Sequence, residues 1–231
     1  MGIFAGTARE RFSLVVSLPR NDPALARAAQ DAGADALKVH INMRHRASGN
    51  TFGSWKEEAP DLRAVLESVS IPVGIVPGAE IQSSYEDLCE MADAGFDFWD
   101  VFYQYLPPGF FLHPSIGRMV AINREATPDI ISGLEAMGME MMEMSVVPGE
   151  EYGSPLTARE LAIYRICAAA TTVPALVSSQ KKILPGDTGI LSRMGVRGLI
   201  IGVIVTGSSV ESLYSSVTAF KREIYNLGPG R

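Results

Sequence analysis

Three charged side chains stand at one position of a repeated segment. Residues 33–42 read GADALKVHIN, a helix end, a tight turn at Gly33 and an apolar strand carrying a lysine and a histidine. The same grammar returns after Gly95 (GFDFWDVF), Gly138 (GMEMMEMS) and Gly195 (GVRGLIIG). Aligned on the glycine, Lys38 falls level with Asp100, Glu143 and Ile200, and His40 with Phe102, Ser145 and Gly202. A lone buried lysine would lose its charge and a lone buried carboxylate would take up a proton; together they can stay ionised. Such a group is either a structural ion-pair network or an acid/base pair beneath a substrate carbonyl, with Lys38 and Glu143 or Asp100 exchanging protons. A Schiff-base lysine needs a lowered pKa, and two neighbouring carboxylates act the other way. His40 and, next in the alternation, Asn42 are candidates to contact the reacting oxygens; a hydrogen-bonded structural histidine is the alternative. His40, His45, Asp100 and Glu143 lack HxH or HExxH spacing, so no metal is expected.

A second cluster lies in the last quarter. Ser178, Ser179, Gln180, Lys181 and Lys182 end or follow one strand; Thr206, Gly207 and Ser208 follow the next and open a helix. Glycine lets backbone N–H groups approach an anion, hydroxyls donate to it and a lysine adds charge. These residues are expected to bind a phosphate, with plain helix capping by Ser208 as the alternative. Arg44 and His45 sit in a polar loop over residues 42–54. A loop of that length is often a lid, and these two side chains could close over an anion; a plain surface loop is the alternative.

The elements that must position these residues follow from apolar periodicity. Short apolar runs at residues 12–18, 35–41, 71–76, 96–103, 118–123, 139–147, 173–178 and 198–205 read as buried strands. Between them lie helical patterns with start signals: Asp22 before Pro23, Ser84 with Asp87, Thr127 before Pro128, Thr157 with Glu160, and Ser208 with Glu211. Eight strands alternating with helices predict an α/β fold, a (β/α)8 TIM barrel of the phosphate-binding type. An open doubly wound sheet is the alternative. The barrel is preferred because the repeat falls on strands two, four, six and eight, and alternate strands supply the side chains of one interior layer. The chain reads as one domain over residues 1–231; residues 1–11 could cap one end of it, with a loose tail as the alternative, and 228–231 are a candidate tail. Phe110, Phe111 and Leu112 lie in a proline-rich stretch that cannot form a helix of useful length. They either fold over the barrel or present a surface to a second copy of the chain.

Composition narrows the function. A formal charge of −6 with no basic face argues against a nucleic-acid partner. No apolar run reaches membrane-spanning length, and the N-terminal stretch lacks the pattern of a signal peptide, so a cytoplasmic protein is expected. Cys89 and Cys167 are too few and too isolated for a disulfide framework. No GxGxxG follows the first strand and no GxxxxGK[ST] occurs, so no nucleotide-type cofactor is expected.

The GADALKVH-type units, IPVGIVPG at residues 71–78 and GVRGLIIGVIVTG at residues 195–207 resemble the ribulose-phosphate-binding barrel superfamily. That group includes histidine-biosynthesis isomerases, indole-glycerol-phosphate synthases, thiamine-phosphate synthases and N-acylmannosamine-6-phosphate epimerases. The resemblance implies an isomerase, epimerase or related carbon-acid enzyme acting on a small phosphorylated metabolite. The epimerases are similar in using a lysine and a glutamate next to a sugar carbon. DALKVHIN also resembles the DxKxxD motif of the orotidine-monophosphate decarboxylases, but aligned on Lys38 the required acids fall at Ala36 and Ile41. The last strand runs on through Val203, Ile204 and Val205, where many superfamily members turn at a glycine pair. A non-catalytic barrel that senses a phosphorylated ligand is the competing reading.

Overall fold

Residues whose apolar side chains must be buried on both faces pair side by side, and the sheet closes on itself. The computed structural model describes residues 2–79, 81–113 and 115–228. Its strands are β1 (Ser13–Ser17), β2 (Ala36–His40), β3 (Met43–Arg44), β4 (Thr51–Phe52), β5 (Val73–Val76), β6 (Phe98–Phe102), β7 (Gly117–Ile122), β8 (Met141–Met144), β9 (Ala175–Ser178) and β10 (Gly198–Ile201). The helices are α1 (Ile3–Glu10), α2 (Pro23–Asp31), α3 (Trp55–Ser68), α4 (Tyr85–Ala94), α5 (Pro128–Ala136), α6 (Ala158–Ala169), α7 (Thr188–Arg193), α8 (Val203–Thr206) and α9 (Val210–Tyr225). All strands except β3 and β4 form one closed barrel, in the order β1-β10-β9-β8-β7-β6-β5-β2, with every pair parallel. The predicted TIM barrel is therefore the observed fold.

Strand alternation divides the core in two. Leu37, Val39 and Ile41 point outward into the layer between barrel and helices. Inside, Val15, Ala36, Phe98, Met119, Met141, Leu176 and Ile200 fill the lower barrel together with Phe4, Ala5 and Ala8 of α1. A Cβ on Gly74 of β5 would lie 2.1 Å from the Phe98 ring, so glycine there makes room for the aromatic plug.

Several expectations require correction. Residues 3–10 form α1 and take the capping alternative rather than the loose tail: Phe4 stacks on Phe98 at 5.5 Å between centroids. The carboxylate of Asp97 accepts from the N–H groups of Ile3 and Phe4, at 2.7 and 3.0 Å, and so anchors the helix start. Met1 and residues 229–231 lie outside the described residues. The last barrel strand stops at Ile201, and the expected extension over residues 203–205 is the helix α8. The Gly202 carbonyl accepts from Val205 and Thr206 N–H, satisfying the backbone locally where no neighbouring strand is available. The predicted long loop contains the antiparallel ribbon β3–β4. Pro108–Leu112 forms a 3-10 turn with Phe110 and Phe111 packed edge-on against Trp99; of these two and Leu112, only Leu112 is fully exposed.

The capping expectations split. Ser84–Asp87 and Thr157–Glu160 form their capping boxes. At α9 the cap is Ser209, whose Oγ accepts from Ser212 N–H at 3.2 Å; Ser208 offers its carbonyl to Arg20 instead. Ser209→Ala is expected to cost about 1 kcal/mol and Ser208→Ala close to nothing. Urea denaturation of both variants measures the difference.

Candidate active site

The charged side chains of the repeat meet at the upper end of the barrel. Lys38 on β2 places Nζ 2.8 Å from Asp100 Oδ2 on β6 and 2.6 Å from Glu143 Oε2 on β8. Their side chains are 8, 1 and 7 % exposed, respectively. Ile200, aligned with them in sequence, lines the same cavity and also packs on the apolar plug below.

The two carboxyls are held differently. Glu143 Oε1 accepts from Ser145 Oγ at 2.8 Å and from Ser178 Oγ, while Oε2 takes Lys38. Asp100 Oδ2 accepts from Lys38 and its carboxyl is within hydrogen-bonding reach of Glu143, while the buried Oδ1 has no hydrogen-bond partner. Burial raises the Asp100 pKa well above the usual range, and the neighbouring Glu143 charge adds to that; Lys38 opposes them without prevailing. For Glu143 burial also pushes upward, but Lys38 and the hydrogen bonds prevail and hold it well below the carboxylate range. Burial works against the Lys38 charge, but the two carboxyls overcome it and keep the ammonium protonated above the usual lysine range. One cation therefore stands between two carboxyls whose pKa values are pushed in opposite directions, Asp100 upward and Glu143 downward. Environments that separate two carboxyl pKa values in this way divide acid and base roles.

Above this floor opens a cavity of about 1340 Å³. Ser17, Val76, Ala121 and Ser178 line it from β1, β5, β7 and β9, and His40, Phe102, Ser145 and Gly202 line it one level higher. His40 Nε2 lies 3.4 Å from Ser17 Oγ, while the buried Nδ1 has no partner. Asn42 adopts a left-handed backbone (φ 52°) and donates to Pro77 O and Ser83 Oγ at 3.3 and 3.0 Å. Asn side chains tolerate this conformation better than most.

The ribbon β3–β4 lies over the cavity. His45 stacks on His40 with ring centroids 4.6 Å apart, and Phe52 lies 5.2 Å from the same ring. Burial, with His45 and then Lys38 adding to it, holds His40 well below its ordinary pKa, and burial with the Lys38 charge pushes His45 down to about 4, so both imidazoles are neutral. A depressed folded pKa gives stability that is present above the unfolded value near 6.5 and lost as pH falls. Ribbon docking is thus expected to weaken between about pH 6.5 and 4. Amide exchange of residues 43–52, followed against pH, should accelerate in that window.

Of the residues expected to hold phosphate, Ser179, Gln180 and Gly202 line the cavity. Ser179 Oγ accepts from Gly202 N–H at 3.0 Å. Gln180 donates to the Tyr152 hydroxyl at 2.7 Å and accepts from Val147 N–H at 2.9 Å. Lys181 is not brought to the cavity: its ammonium is buried against Glu151 at 2.6 Å and Ser154 at 2.9 Å, with Glu160 at 3.7 Å. Thr206, Gly207 and Ser208 also lie outside it; Thr206 is buried and bonded to Gly207 O. In their place Val203 and Ile204, at the start of α8, line the wall. Ser178, named with the expected phosphate-binding residues, lines the cavity, while the sequence reading missed Ser17, Tyr152 and Arg46 as cavity residues. Ser17 was detectable, since it closes an apolar strand at the inward parity; Tyr152 and Arg46 carry no such signal.

Among the described residues, no three His, Cys, Asp or Glu side chains are grouped to hold a metal ion, and no helix is long and apolar enough to cross a membrane. A closed parallel barrel with a charged, acid/base-capable floor defines the class of molecule. No family model and no curated protein matches the chain. Solved structures do. Phosphoribosyl anthranilate isomerase from Thermus thermophilus aligns over 94 % of this chain and 100 % of its own, with TM-score 0.69 and 15 % identity. Thiamine phosphate pyrophosphorylase from Pyrococcus furiosus aligns over 95 % and 98 %, with TM-score 0.64 and 12 % identity. Tryptophan synthase from Mycobacterium tuberculosis aligns over 96 % and 95 %, with TM-score 0.68 and 11 % identity. At these identities the likeness is one of fold, the (β/α)8 barrel.

Proposed function

We propose that this chain is an enzyme acting on a small phosphorylated metabolite, and that its reaction is an isomerisation, epimerisation or related carbon-acid step. The observation that carries the reading is the Lys38–Asp100–Glu143 group at the floor of the cavity, Nζ 2.8 and 2.6 Å from the two carboxyls, whose pKa values are pushed in opposite directions. Asp100 is the carboxyl poised to exchange a proton, because its pKa is raised. Its ionised form takes the carbon-bound proton beside a carbonyl, and the acid so formed returns it. Lys38, permanently cationic, stabilises the oxyanion that forms between the two transfers. Glu143 keeps Lys38 charged and in place. The sequence-based reading had Lys38 exchange protons with Glu143 or Asp100; here Asp100 moves the proton and Lys38 stays charged.

The phosphate lies against Ser179 and the start of α8. The N–H groups of Val203 and Ile204 precede the first intrahelical bonds there and are available to an anion. The names of the fold neighbours, a phosphoribosyl anthranilate isomerase and a thiamine phosphate pyrophosphorylase, support a phosphorylated substrate. The barrel works as one cytoplasmic unit and needs no cofactor for this step.

The test is a thermal-shift screen against phosphorylated sugars, phosphorylated polyols and inorganic phosphate. Each hit is then incubated in deuterium oxide and read by NMR. A ligand at a hundredfold excess over Kd stabilises by about 2.7 kcal/mol. Stabilisation with deuterium entering a carbon-bound position, lost in Asp100→Asn, is the expected result. A tightly bound phosphorylated ligand that never exchanges would sink the carbon-acid reading and leave a sensing barrel.

A further inference from the structure

We propose that Arg44 and Arg46 form a second anion subsite across the cavity mouth. The substrate class is then a phosphorylated molecule with a carboxylate or second phosphate at its other end. The inference rests on the phosphate reading above and narrows it.

Among the cavity-lining residues the cations are Lys38, Arg44 and Arg46. Lys38 is occupied by two carboxyl groups. Among the described residues, neither guanidinium makes a hydrogen bond or an ion pair, although Glu150 lines the same cavity. A guanidinium offers a planar fork of donors that matches carboxylate or phosphate in two parallel bonds.

Placement of Arg46 depends on a specific gap. Gly149 lies outside the left-handed region, so its backbone does not call for glycine. A Cβ there would fall 1.9 Å from Arg46 Nη1 and 2.7 Å from Cζ. The missing side chain is what lets the guanidinium lie along the loop after β8. Arg46 itself comes from the ribbon after β2, four positions away in the eight-stranded ring, so it spans the mouth.

The ribbon that presents the arginines is well tied. Asn42 N–H bonds Gly53 O at 2.7 Å, His45 N–H bonds Asn50 O at 2.8 Å, and Asn50 Nδ2 reaches Pro19 O at 2.7 Å. The cavity, at about 1340 Å³, also exceeds the ~300–1,000 Å³ typical of small-ligand sites. There is room for a ligand that extends from the floor to the ribbon.

The experiment compares Kd values of glycerol phosphate, phosphoglycerate and bisphosphoglycerate by calorimetry. The proteins are wild type, the Arg44→Gln/Arg46→Gln double variant and Gly149→Ala. Wild type is expected to prefer a two-ended probe over glycerol phosphate by about tenfold. In the double variant the ratio should fall to within about twofold, with glycerol phosphate affinity unchanged. Gly149→Ala displaces Arg46 without altering its charge and should lower the preference. Which two-ended probe wins distinguishes carboxylate from phosphate. A wild-type ratio near one, or a preference that survives the double variant, overturns the subsite while leaving the phosphate reading intact. An unchanged ratio in Gly149→Ala overturns the role given to Arg46. Failure of wild type to bind glycerol phosphate or inorganic phosphate at all removes the phosphate reading, and the two-ended substrate with it.

Discussion

Replacing Lys38 with methionine is expected to lower the unfolding free energy by about 3–5 kcal/mol at neutral pH, because it leaves two buried carboxyls without their cation. The methionine nearly matches the lysine stem in length, so packing loss is a minor part. The sign of the pH dependence follows from linkage. In the parent protein the Glu143 pKa is depressed, so its contribution is present above the unfolded carboxylate value and fades as pH falls below it. Without Lys38 both carboxyls are raised, which destabilises progressively as pH rises. The deficit should therefore be small near about pH 4 and grow toward neutrality. Urea denaturation at both pH values measures it. Equal losses at the two would mean that Lys38 contributes packing rather than charge.

A contrast between two isosteric substitutions separates the carboxyls. Asp100→Asn is expected to reduce proton transfer by about 10²–10⁴ while leaving stability at neutral pH equal or higher. Asparagine keeps the shape of a neutral acid and removes a group whose raised pKa costs stability as pH rises through it. Glu143→Gln is expected to destabilise, since it removes the charge that pairs with Lys38 and accepts from Ser145 and Ser178. Its effect on activity should come with a displaced Lys38. Deuterium exchange into bound ligand, set beside melting temperature, reads both axes. A destabilised Asp100→Asn, or a Glu143→Gln as stable as the parent, would reverse the roles assigned here.

Much of the barrel was legible because its signals are local or strictly periodic. Asp22 caps α2 and Thr157 with Glu160 caps α6 through contacts within three residues, so the capping chemistry is written in adjacent letters. The convergence of Lys38, Asp100 and Glu143 followed from the repeat, since a parallel barrel puts equivalent positions of alternate strands in one layer. Residues beyond the strand ends followed no such rule. Lys181 lies only three residues past Ser178, yet the chain turns and its ammonium joins Glu151 and Glu160 instead of the cavity. Val203, Ile204 and Val205 favour a strand by type, but beyond Ile201 no partner strand continues and the backbone closes its own bonds as α8.

The sequence by itself determined the closed barrel and the three charges at its centre, because alternation and period are properties of the chain alone. Tertiary structure alone decided which carboxyl pKa is pushed up and which down. That depends on Ser145 and Ser178 reaching Glu143 while Asp100 Oδ1 is left without a partner. It also decided that Arg46 lies over Gly149, a contact across about a hundred residues between opposite sides of the ring. Protonation and long-range placement are set by neighbours in space, which no local pattern of residue types records.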